Sequence, residues 1–138
     1  MAEPPDLVRS IYADWERGDF SRADWADHEI EYTQDEFGAF MRASWKGLAN
    51  MAKGARARIE VFADIGVHAD EYRQLDDRRV LVLDRRTGTT KHSGIEFGGA
   101  TRMPTAGAHL FTIQRGKVTA LVAYYDRDRA IADLGLEE

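Results

Sequence analysis

The side chains of this chain that could do chemistry are its carboxylates, its arginines and four histidines; there is no cysteine. Disulfides, thiolate metal sites and cysteine nucleophiles are therefore excluded. His28, His68, His92 and His109 are scattered, without a His-x-His or His-Glu-x-x-His spacing, which gives metal binding little support. Asp24 and His28 stand four apart, a spacing met more often in a surface pair on a helix than in two ligands. Gly98-Gly99 does not lie between a strand and a helix, so it reads as a turn and not as a phosphate cradle. No motif in the sequence names a reaction, and the residue types present allow acid–base chemistry among others. A carboxylate closed into an apolar cavity has its pKa raised and can act as a base near neutral pH. A neutral imidazole or phenol aimed at a carbonyl oxygen stabilises the enolate that forms when a neighbouring carbon loses its proton.

Individual positions carry competing readings. Asp84 continues the face of Val80 and Val82, so it can enter a cavity on that side. Arg85, Arg86 and Arg102 are near enough in the chain to pair with such an acid, most commonly as a solvated bridge. Asp35, in Gln-Asp-Glu-Phe-Gly, suits a solvated turn or cap. His109, between Ala108 and Leu110, suits either a hydrogen-bonded core position or a pocket wall. Asp126 directly precedes a helical run and reads as its N-cap. The three tryptophans with Phe37, Phe40 and Phe62 could line an apolar cavity or simply fill the core.

The elements that must position these residues follow from periodicity. Asp6 can cap a helix whose apolar positions Val8, Ile11, Tyr12 and Trp15 share one face, and Gly18 ends it. Ser21 with Asp24 resembles a capping box that opens a second, short helix containing Trp25. Glu29 to Thr33 alternates like a strand. Phe40 to Ala57 has helical spacing at Trp45, Leu48, Ala52 and Ala55, weakened by Gly47 and Gly54 at roughly 1 kcal/mol each unless Gly47 marks the entrance. Strand-like segments follow at 59–62, 67–75 and 79–84, and the Gly88 and Gly94 region would extend the last with a bulge. Gly98 to Gly107 is turn-rich. Residues 108–125 form two apolar runs around a Gly116 turn, a hairpin signal, and run into a short final helix. Both faces of that hairpin are apolar, so both must be covered, and a second copy of the chain is the expected cover for one of them.

With 138 residues, 43% of them hydrophobic, the chain suffices for one domain spanning 1–138, and helices preceding strands argue for an α+β fold. A net charge of −5 with mixed signs lacks the basic stripe of a nucleic-acid binder. Met-Ala-Glu-Pro-Pro-Asp has neither a basic start nor an apolar run, so no signal peptide, no membrane contact and a cytoplasmic location are expected.

In this order the elements resemble the SnoaL-like branch of the NTF2-like superfamily, ketosteroid isomerase and polyketide cyclase relatives included. The resemblance is carried by Arg17-Gly18-Asp19-Phe20, Trp45-Lys-Gly47, Asp77-Arg-Arg-Val80, Ser93-Gly94, Arg115-Gly-Lys-Val118 and Tyr125-Asp126-Arg127. It implies a cone with three N-terminal helices packed on a strongly curved antiparallel β-sheet, and a short C-terminal helix. It also implies a small hydrophobic ligand, no cofactor, no metal and a homodimer formed through the sheet. Carried over from the ketosteroid isomerases, Asp35 matches the catalytic base, although anchoring on the preceding strand puts Gln34 there. His109 matches their protonated aspartic acid, and their oxyanion tyrosine falls at Ile11, beside Tyr12. The polyketide cyclases' late aspartate falls near Asp126, and an Arg–Asp pair would resemble the water-activating group of the family's epoxide hydrolases. The expected site therefore has Asp35 and His109 as catalytic groups. Tyr12, Trp15, Tyr32, Phe37, Asp84 and Phe111 would form its pocket, for cofactor-free isomerisation, cyclisation, dehydration or hydrolysis of a small carbonyl or cyclic compound. A non-catalytic binding or dimerising role of the same cavity is the alternative.

Overall fold

Alternation along Arg79-Val-Leu-Val-Leu-Asp-Arg-Arg-Thr87 sends Val80, Val82, Asp84 and Arg86 to one side of a strand and Leu81, Leu83 and Arg85 to the other. In the computed structural model, which describes residues 4–36, 41–59, 66–87 and 106–136, this strand is β4 of a six-stranded sheet. The elements run α1 (Pro4–Glu16), β1 (Ala26–Gln34), β2 (Ala43–Lys46), α2 (Leu48–Ile59), β3 (Gly66–Gln74), β4 (Arg79–Thr87), β5 (Ala106–Gln114), β6 (Lys117–Tyr124) and α3 (Arg127–Asp133). The sheet order is β2-β1-β6-β5-β4-β3. Every pairing is antiparallel except β1 with β6, which is parallel. Register shifts in β1/β6, β3/β4 and β5/β6 act as bulges, and bulges bend and twist a sheet.

Two apolar layers result. On one face Val80, Val82, Phe111, Ile113, Val118 and Leu121 pack with Val8, Ile11 and Tyr12 of α1 and Met51 of α2. On the other, Leu81, Leu83, Ala108, Leu110 and Tyr124 pack with Ala130 of α3 and with Leu134 and Leu136 beyond it. The expected dimer rested on an uncovered outer face. On that face Leu81, Leu83, Ala108, Leu110 and Tyr124 are buried by the chain's own residues, and Val122 is half-buried.

Two helices, not three, precede the main body of the sheet among the described residues, and β1 and β2 lie between them. The short helix expected at Ser21–Trp25 is a turn. The Asp19 carboxylate accepts from both the backbone N–H and the hydroxyl of Ser21, and this local bonding competes with a helical turn. Helix α1 begins at Pro4, so Asp6 lies in its first turn and is not its cap. The long helix expected from Phe40 is split. Residues 43–46 pair with β1, and Gly47, at φ +88°, turns the chain into α2. Asp126 caps α3 as expected, its side chain accepting from the N–H of Asp128. The strand expected at 59–62 opens on Ile59, which ends α2; its remainder lies outside the described residues, as do the Gly88–Gly94 extension and most of the Gly98–Gly107 turn.

Gly54, which weakens α2 on propensity, is required by packing. A Cβ there would lie 2.6–2.8 Å from three carbons of the Trp45 indole. Gly54→Ala is expected to lower stability by about 1–2 kcal/mol, overpacking outweighing the helix-propensity gain of about 1 kcal/mol. Urea denaturation checks this, and an unchanged midpoint would mean that Trp45 swings aside at no cost.

Candidate active site

Strand pairing assembles the site. Asp84 faces Gly107 across the β4/β5 ladder and Val82 faces His109, so Asp84 and His109 are diagonal neighbours on one face. His109 Nδ1 lies 2.7 Å from Asp84 Oδ2. The same oxygen accepts from the Tyr12 hydroxyl at 2.6 Å, brought in by α1. Tyr12 Oη also lies 2.9 Å from His109 Nδ1, as expected for two donors meeting at one carboxylate oxygen. Arg86, two residues along β4, sets its Nε 3.3 Å from Asp84 Oδ1. That contact is an ion pair without hydrogen-bond alignment. Its Nη2 donates to the carbonyls of Ala108 and Tyr124, at the end of the β5/β6 ladder, and its guanidinium lies over the Tyr125 ring. Gly107 makes this possible, since a Cβ there would lie 2.7 Å from the Tyr124 carbonyl and 3.2 Å from the Arg86 guanidinium.

The electrostatics assign the proton. Burial alone would raise the Asp84 pKa, but Arg86, His109 and Tyr12 together hold it well below the usual carboxylate range. Burial and the Arg86 charge lower His109, against the pull of Asp84. Burial and the Asp84 charge push the Tyr12 hydroxyl well up. Near neutral pH the cluster therefore holds an ionised Asp84, a neutral His109 and a neutral Tyr12. An ionised carboxylate cannot donate, so the short Nδ1–Oδ2 contact places the imidazole proton on Nδ1. Nε2 is then the basic nitrogen, and it has no hydrogen-bond partner among the described residues.

A cavity of about 470 Å³ lies beside this cluster. His109, Arg86 and Gln34 give it polar groups, and Trp15, Phe20, Trp25, Tyr32, Met51, Leu121, Ala123 and Tyr125 give it apolar ones. Volume and composition both suit a small ring compound.

The expected residues separate into three groups. His109, Trp15 and Tyr32 line the cavity. Tyr12, Asp84 and Phe111 are buried behind its wall; Asp84 touches the wall residues His109 and Arg86, Tyr12 touches His109 and Trp15, and Phe111 packs against Tyr12, Trp15 and His109. Asp35 is not on the described cavity wall, and this corrects its placement as the base. Gln34 precedes it on β1, turned to the inside, and donates to Tyr32 Oη and to the Gly54 carbonyl. Strand alternation sends Asp35 the other way, where Arg42 and Arg129 hold its two oxygens at 2.8 and 2.7 Å. Phe37 lies outside the described residues. Arg86 was read from sequence as a possible surface partner or part of a water-activating Arg–Asp pair, and Leu121, Ala123 and Tyr125 were not assigned to the pocket, although their spacing of two continues one face of β6 into the residue after it.

No protein-family model matches the chain, and no curated protein does. Solved structures do. An NTF2-like protein of unknown function from Burkholderia pseudomallei superposes with a TM-score of 0.70 at 16% identity, covering 96% of this chain and 97% of that one. A protein described as a SnoaL-like polyketide cyclase, from Jannaschia sp. CCS1, gives 0.66 at 15% identity, over 86% of this chain and 82% of its own. This is an NTF2-like fold. A third protein of ketosteroid isomerase-like fold, from Catenulispora acidiphila and solved with trimethylamine, gives 0.66 at 17% identity over 96% and 95% of the two chains. At such identities the likeness extends to the fold alone, and the chemistry rests on this chain's own side chains. Among its described residues no helix is long and apolar enough to cross a membrane, and no group of three or more His, Asp or Glu could hold a metal ion.

Proposed function

We propose that this NTF2-like chain catalyses cofactor-free proton transfer on a small, largely apolar carbonyl or cyclic compound held in the cavity. The observation that carries the reading is the 2.7 Å contact between His109 Nδ1 and an ionised, buried Asp84, beside an aromatic-lined cavity. Asp84 fixes the tautomer and orientation of the imidazole and stabilises the imidazolium that forms when Nε2 takes a proton. Tyr12 and Arg86 are positioning residues that keep Asp84 ionised and in place. Arg86, whose guanidinium lies on the cavity wall, stands where negative charge on an enolate oxygen could be met.

Tyr12 does not serve as an oxyanion donor in this scheme, because its hydroxyl is committed to Asp84. The imidazole acts as the base and not as the acid. The roles are thus redistributed from those a ketosteroid isomerase would imply, while the reaction class stays the same.

The test is incorporation of deuterium from D₂O into a panel of cyclic and aryl ketones, followed by NMR with and without the protein. The expected result is exchange at the carbon next to the carbonyl, faster than in buffer and saturable in the ketone. Ketones that bind in the cavity, seen by quenching of Trp15 and Trp25, yet exchange no faster than in buffer would replace this reading with binding alone.

A further inference from the structure

The described residues that line the cavity include three arginines, Arg22, Arg56 and Arg86, and no aspartate or glutamate. This composition runs against the chain as a whole, in which 24 acidic residues outnumber 19 basic ones. Arg86 sits on the wall with its charge answered by Asp84. Arg22 and Arg56 are exposed. Arg22 has two weak surface partners, Asp24 at 3.4 Å and Asp14 at 3.8 Å. Arg56, on α2, has no acidic partner among the described residues, and α2 carries no acid in its first turn. A ring compound entering between Trp15, Trp25 and Tyr125 therefore meets the Arg56 guanidinium, which no acidic side chain among the described residues answers, and the loosely paired Arg22.

We infer that the ligand of this cavity is an aromatic or alicyclic acid, its ring among the tryptophans and its anionic group held at the mouth by Arg56 and Arg22. The inference deepens the proposed function by naming its substrate class, and it rests on that reading only in taking the cavity as the ligand site. Aromatic walls alone would also attract an organic cation over their ring faces. The arginines decide against the cation. Guanidinium forks match a carboxylate in two parallel hydrogen bonds, and like charge repels an ammonium group.

Calorimetry with 2-naphthoate, 2-naphthamide and phenyltrimethylammonium tests this on the intact chain. In low salt the carboxylate should bind at least tenfold more tightly than the amide and the cation. That advantage should shrink severalfold in 0.5 M NaCl, because charges at an open mouth are screened. The Arg22→Gln/Arg56→Gln double variant should lose most of the preference while its affinity for the amide and its melting temperature stay unchanged, both side chains being exposed. Equal affinity for carboxylate and amide, a preference for the cation, or a carboxylate preference that survives the double substitution would each overturn the proposal while leaving proton transfer standing. No binding by any of the three probes, with no change in tryptophan fluorescence, would remove the cavity as a ligand site, and the proposed function with it.

Discussion

Replacing Asp84 with alanine is expected to lower the free energy of unfolding by about 3–5 kcal/mol, the cost of leaving one member of a buried ion pair alone. Asp84 is fully buried and Arg86 is 5% exposed, so neither charge is relieved by solvent. The loss reaches further than one pair. Tyr12 Oη and His109 Nδ1 both point at Asp84 Oδ2, and each would lose its acceptor. Removing both charges should cost far less than removing one. Asp84→Leu combined with Arg86→Met replaces the pair by apolar groups of similar size, an exchange that is often nearly neutral for a buried ion pair. Here the recovery is expected to be partial, because Arg86 also donates to the Ala108 and Tyr124 carbonyls. Urea denaturation followed by tryptophan fluorescence measures both variants. A loss below about 1 kcal/mol for Asp84→Ala would mean that water reaches the pair.

The same carboxylate marks where sequence reading succeeds and where it stops. Alternation puts Asp84 on the inner face with Val80 and Val82, and the structure keeps it there, because a strand offers only two faces. The hairpin and the α3 cap are equally local and were equally readable. Asp35 is different. Its neighbour Gln34 faces inward, and a shift of one residue exchanges the two roles, so an alignment anchored a single position away assigns the base to the wrong side chain. Arg42, seven residues further on, and Arg129, from α3, hold Asp35, and no periodic pattern announces either. Gly54 misled in another way. Propensity counts it against a helix, whereas the Trp45 ring lying on it is the reason it must be glycine. The 21–25 turn was lost to the Asp19–Ser21 bonds, which satisfy locally the groups a helix start would use.

His109 carries the second large effect, and it is set by pH. Three titratable or charged groups face the imidazole: Asp84 and Arg86 from β4, and Tyr12 from α1. Burial and Arg86 together outweigh Asp84, so the folded pKa lies below the ordinary histidine value of about 6.5. Proton transfer through Nε2 should therefore persist to lower pH than a solvated histidine would allow, and fall as pH drops through that lowered value. Stability follows the same sign. Between the folded and unfolded pKa values the unfolded chain binds more protons, so the stabilisation from a neutral His109 is complete above about 6.5 and is lost as pH falls below it. Asp84, also lowered, adds a second loss beginning below about 3.9, where the unfolded carboxylate takes up its proton. His109→Gln separates the two consequences. Its amide can still donate to Asp84 but offers no basic nitrogen, so exchange into the ketone should fall by about 10²–10⁴-fold and the pH dependence of stability just below about 6.5 should flatten. If the variant keeps the wild-type exchange rate, or if the wild-type acid limb lies above 6.5, the transferred proton belongs to another group and Asp84 is there only to hold Arg86 in the fold.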